Sequence, residues 1–81
     1  MKIDVLLFAH LKEIAGKSVV QLELPDKATG NDLLEHLLNS FPEMSGQKSY
    51  LKISVNNVYH ELGNAIPSDA EVAVFPPVSG G

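Results

Sequence analysis

The chain has no cysteine and no arginine, few aromatic residues (three Phe, two Tyr), and no long hydrophobic run. Without cysteine there are no disulfides, no thiolate metal ligands and no thiol nucleophile. This fits a reducing compartment, and with neither a signal-peptide pattern nor an apolar run long enough to span a bilayer, the expectation is a cytoplasmic protein that does not enter the membrane. All the basic residues are lysine, and the net charge is −4. Arginine is the usual bidentate reader of phosphate and guanine. An acidic chain without it is a poor nucleic-acid binder and better suited to a basic protein surface.

The 81 residues, 44% hydrophobic and 20% charged, suit one small domain with one modest core. Lys2 to Phe8 reads as a strand, with Ile3, Val5 and Leu7 on one face and Leu6 and Phe8 on the other. His10 to Ala15 suits a short helical turn closed by Gly16. Val19 to Leu24 alternates again and should form a hairpin with the first strand. Thr29 and Asp32 form an imperfect capping box ahead of an apolar stripe, Leu33, Leu34, Leu37, Leu38 and Phe41, and Pro42 ends the helix. Pro42 to Ser49 reads as a loop and Tyr50 to Val55 as a strand. Asn56-Asn57 is a tight turn, Val58 to His60 a short return strand, and Glu71 to Phe75 the last strand after a turn at Pro67 to Ala70. One helix with one apolar stripe needs one sheet to cover it. The expected fold is an α+β β-grasp roll, as in ubiquitin, with a mixed sheet of four to five strands on one main helix and the first and last strands adjacent at its centre. Residues 1–75 form the domain and 76–81 a flexible tail.

Little in this pattern suggests a self-contained active site. His10, His36 and His60 share no metal-ligand spacing and read as surface residues, so no metal site is expected. No serine lies in a nucleophile elbow, and there is no phosphate-binding loop. The tail Pro76-Pro77-Val78-Ser79-Gly80-Gly81 is different. Its prolines end strand pairing and stiffen its root. Extended, its six residues reach roughly 20 Å. Gly80 and Gly81 have no Cβ and can enter a channel that side chains would block. A carboxylate reacts with a nucleophile only after activation, so such a tail suits a chain activated on one enzyme and consumed on another; the competing reading is an inert stub. Phe8 and Phe75 fall on the face away from the helix, and Tyr59 can join them. They form either a docking patch or a small secondary core.

Val5-Leu6-Leu7-Phe8-Ala9 with Leu11-Lys12-Glu13 and Gly16, the internal Val55-Asn56, and the ending Glu71-Val72-Ala73-Val74-Phe75-Pro76-Pro77-Val78-Ser79-Gly80-Gly81 together resemble the small subunits of molybdopterin synthases, a family of ubiquitin-like sulfur carriers. The resemblance implies that an ATP-using, ubiquitin-activating-like adenylyltransferase makes an acyl-adenylate at Gly81. A sulfur donor protein then converts it to a thiocarboxylate. The charged tail enters the large synthase subunit, in a heterotetramer, and gives sulfur to a cyclic pyranopterin precursor on the way to molybdenum cofactor. ATP is consumed by the activating enzyme, and the isolated domain holds no cofactor. Phe8, Tyr59, Phe75 and Lys12 are the implied partner contacts. The family commonly has arginine at the position of Lys12, and an Asp-Gly-Asp-like turn where this chain has Ser68-Asp69-Ala70. A carrier for thiamine thiazole synthesis, a ubiquitin-like modifier joined to lysines through Gly81, and a plain interaction domain remain as alternatives.

Overall fold

The computed structural model describes residues 1–76, with the backbone alone at 47–49. Strand β1 (Lys2–Leu7) and strand β2 (Val19–Glu23) pair antiparallel, with Val5 opposite Val20 and Ile3 opposite Leu22. Their alternation buries Ile3, Val5, Leu7, Val20 and Leu22 on one face. Helix α1 (Ala9–Ala15) joins them and starts one residue earlier than the sequence pattern predicts. It buries Leu11 and ends where Gly16, at φ 77°, donates its N–H to the Lys12 carbonyl at 2.9 Å. A left-handed cap of this kind is least costly for glycine.

Helix α2 (Gly30–Ser40) carries the leucine stripe. Its capping box is complete: Asp32 N–H donates to Thr29 Oγ1 at 3.2 Å, and Thr29 N–H donates to Asp32 Oδ2 at 2.9 Å. Two further N–H groups at this end meet a crossing loop, Gly30 to the Asn64 carbonyl and Asn31 to that of Leu62. The donors that a helix start leaves open are thereby partnered. Leu33, Leu34, Leu37 and Leu38 are buried and Phe41 is half-buried. Phe41 leaves the helix at φ −133°, ψ 76°, because a residue before proline is disfavoured in the α region.

The segment after it corrects the sequence reading. Pro42–Tyr50 is a 3-10 helix, not a loop. Proline at a first helical position has its φ already set, and Met44 anchors the segment, fully buried in the core. The next strand, β3 (Lys52–Val55), consequently starts two residues later than expected. It turns through Asn56 and Asn57, both left-handed at φ 52° and 70°, into β4 (Val58–His60). Strand β5 (Glu71–Phe75) follows the turn at Asp69, whose φ of 61° takes the conformation a glycine would supply.

The five strands run in the order β2-β1-β5-β3-β4, with β1 and β5 parallel at the centre and the other pairs antiparallel. This is the expected β-grasp sheet. One core joins its inner face to the α2 leucines, and it contains no buried polar or charged residue among those described. His36 is exposed as expected, whereas His10 and His60 are half-buried, and a His60 ring nitrogen lies 3.0 Å from the Asn64 carbonyl oxygen.

Gly30 shows how tightly α2 meets the sheet. A Cβ there would lie 2.7 Å from Ile53 Cδ1 and 3.0 Å from Leu62 Cα. Alanine is the better helix former by about 1 kcal/mol. Gly30→Ala should nevertheless destabilise the fold, by about 1–3 kcal/mol, because overpacking outweighs propensity. Urea unfolding measures this, and a more stable variant would contradict the packing account.

Candidate functional site

The period-two pattern that fills the core also fixes what faces away from it. On β1 and β5 the outward residues are Leu6 and Ala73, directly adjacent in the parallel register, and then Phe8 and Phe75 one step further on. The two phenyl rings stack with centroids 5.0 Å apart and planes 7° from parallel. Across the antiparallel seam, Lys52 pairs with Phe75 and Ser54 with Ala73, and Tyr59 pairs with Ser54. An open hollow of about 410 Å³ results, walled by Tyr50, Lys52, Ser54, Tyr59, Phe75 and Pro76. Tyr50 and Tyr59 are each 63% exposed, and Phe8, Phe75 and Val19 are also exposed. These apolar side chains share one uncovered face, beside the point where the chain leaves the sheet, and a contiguous exposed patch of this kind is the usual mark of an interaction site.

The opposite end of the face is polar. Asp4, Gln21 and Glu71 are exposed there, and Gln21 Nε2 donates to Asp4 Oδ1 at 3.2 Å. The open face is thus apolar near Pro76 and acidic at its far end.

Of the candidate contacts read from sequence, Phe8, Phe75 and Tyr59 come together on this face. Lys12 does not line the hollow. It is exposed on α1 beside a separate depression formed with Ala9, Glu13, Gly16 and Lys17. Pro76 is half-buried at the rim, whereas Pro77, Val78, Ser79, Gly80 and Gly81 lie outside the described residues. Sequence reasoning missed Tyr50 and Lys52. Their alternation with Leu51 and Ile53 was a usable signal, but their neighbours depend on the β3–β5 pairing. Among the described residues no three His, Asp or Glu side chains gather as a metal site, and no helix is long and apolar enough to cross a membrane.

Residues 5–81 match the model of the ThiS family. The chain belongs to the ThiS family. Across that family it is similar to the molybdopterin synthase sulfur carrier subunit of Dictyostelium discoideum, 36% identical over 80 residues that cover 95% of this chain and 93% of the relative. It is also similar to small archaeal modifier protein 1 of Haloferax volcanii, 32% identical over 83 residues covering 93% and 95%. The crystal structure of SAMP1 from Haloferax volcanii superimposes with a TM-score of 0.86 at 30% identity and covers the whole of both chains. The ThiS-family match runs through Gly81, so it includes the residues beyond the sheet as well as the aromatic face.

Phe75 bridges the ring stack and the hollow. If this face docks partners, Phe75→Ala should weaken binding by about 2 kcal/mol, as removal of a central aromatic anchor does. Calorimetric titration with a cognate partner measures it, and unaltered affinity would remove Phe75 from the interface.

Proposed function

We propose that this ThiS-family chain is the sulfur carrier subunit of a molybdopterin synthase, working in the cytoplasm. The observation that carries the reading is the aromatic face at Phe8, Phe75 and Tyr59, which adjoins Pro76, from which the chain runs on to Gly-Gly. A partner seated on that face holds the root of a tail that reaches roughly 20 Å, so Gly81 can enter an active site belonging to the partner. Residues 1–75 act as the handle and 76–81 as the arm. The curated relative named as a synthase sulfur carrier subunit supports the same role.

The chemistry follows from the carboxylate. An oxygen of Gly81 attacks the α-phosphorus of ATP on an activating enzyme, and pyrophosphate leaves. Hydrosulfide released by a donor protein then attacks the acyl carbon, displaces AMP and gives up its proton, leaving a thiocarboxylate. The chain has no cysteine, so that sulfur comes from another protein. Docked on the large synthase subunit, one carrier at each end of a large-subunit dimer, the thiocarboxylate sulfur adds to a cyclic pyranopterin precursor. Water releases the carrier with its carboxylate restored. A dithiolene needs two sulfurs, so two charged carriers are used per product. The domain binds no cofactor of its own, and catalytic acids and bases belong to the partners.

Similarity to an archaeal modifier protein favours a second reading, in which the activated Gly81 carbonyl forms an isopeptide bond with a lysine of another protein. One experiment separates the two. With activating enzyme, ATP and a sulfur source, a carrier gains about 16 Da, one oxygen exchanged for sulfur. Attachment to other proteins without that gain favours the modifier, and an unchanged mass under competent conditions counts against both.

Removing Gly80 and Gly81 should alter stability by less than about 0.5 kcal/mol, in keeping with other surface changes, yet abolish sulfur delivery. Thermal melting and a precursor-conversion assay report the two effects separately. A fall of many degrees in Tm would mean that the tail supports the fold.

A further inference from the structure

Resting on the carrier reading, we infer that the aromatic hollow takes a partner-protein surface presenting one apolar side chain beside an aspartate or glutamate, and that Lys52 reads that carboxylate and fixes the direction of docking. Among the described residues Lys52 is the only charged side chain on the walls of the hollow. The only ion pair among them joins the Met1 ammonium to Asp26, and none of the described carboxylates pairs with Lys52. Its strand neighbour is Phe75, and Tyr50 and Tyr59 stand to either side of the same depression. A partner covering those rings also strips water from the ammonium. An ammonium desolvated without a counter-charge is costly, whereas one that meets a carboxylate gains more than it would in open water.

The distribution of charge across the face supplies the direction. The chain carries −4 overall, yet among the described residues no carboxylate lines the hollow. The outward acids of the sheet, Asp4, Glu23 and Glu71, lie at the other end, where they outnumber the one outward lysine, Lys2. A partner carboxylate is drawn to the end beside Pro76 and repelled at the far end. Only one docking orientation satisfies both, and it is the one that places the partner's matching group next to the tail root. Charge complementarity of this kind selects register and suppresses wrong orientations. The overall acidity of the chain favours a basic partner in general, so an acidic spot at the contact is a local exception that the partner must provide.

Binding of the full chain to the cognate large synthase subunit, measured by calorimetry at low and at high salt, tests this. Lys52→Met keeps the stem and removes the charge. It should weaken binding about tenfold at low salt and flatten the salt dependence, Lys52→Glu should weaken it about a hundredfold, and Lys52→Arg should stay within about threefold of wild type. Lys17→Glu changes the net charge by as much as Lys52→Glu but lies outside the hollow, and it should leave affinity unaltered. Melting curves establish that each variant is folded. If the wild type binds and Phe75→Ala weakens it while Lys52→Glu stays within about twofold, the inference about Lys52 falls and the carrier reading stands. If the wild type does not bind the large subunit, both fall. If sedimentation shows that the chain alone forms a dimer that Lys52→Glu dissolves, the occupant is a second copy and the inference of a partner carboxylate is overturned.

Discussion

The parallel pairing of β1 with β5 is the constraint on which the rest of the molecule depends. It joins the two ends of the chain at the middle of the sheet, setting Val5 beside Val72 and Leu7 beside Val74 in the core. The same register sets Leu6 beside Ala73 on the outer face and leads Phe8 against Phe75. A slip of one residue would turn every one of these side chains to the wrong face. The core and the aromatic face are therefore fixed by a single set of backbone hydrogen bonds. Because β5 is central and is the last strand among the described residues, the chain leaves it at Pro76 beside the aromatic face and not at a remote edge.

The two faces of the sheet divide the work. The inner face and the α2 leucines make a wholly apolar core that spends nothing on buried polar groups. The outer face keeps large aromatics in water, which a domain of this size tolerates because the inner core holds it together without them. In the proposed carrier role, the exposed aromatics beside Pro76 would supply recognition, and catalysis would belong to the partners. Lys52 adds a polarity to that face that composition alone does not suggest.

Much of this was legible in the residues. Alternation in Lys2–Leu7, Val19–Glu23 and Glu71–Phe75 marked the strands, because successive side chains must point to opposite sides. The leucine stripe and Thr29 marked α2, and the Asn56-Asn57 pair marked a turn that requires left-handed backbone. Pro42–Tyr50 was not legible as a helix. Its serines, glycine and lysine carry no apolar period, and its anchor is the single side chain of Met44, fully buried in the core. Lys12 marks the opposite case, since it sits within the family-like stretch but its helix carries it away from the hollow.

By itself the sequence determined which side chains share a face within each element, where the turns fall, and that the chain carries no thiol of its own, since these depend on local geometry and residue chemistry. Only the tertiary structure decided that Phe8 meets Phe75, that Tyr59 closes on the same hollow, and that Lys52 stands beside them with no ion pair among the described residues. Those neighbours come from strands far apart in the chain. Their juxtaposition depends on which strands pair and in what register, and that is settled by packing the whole core at once.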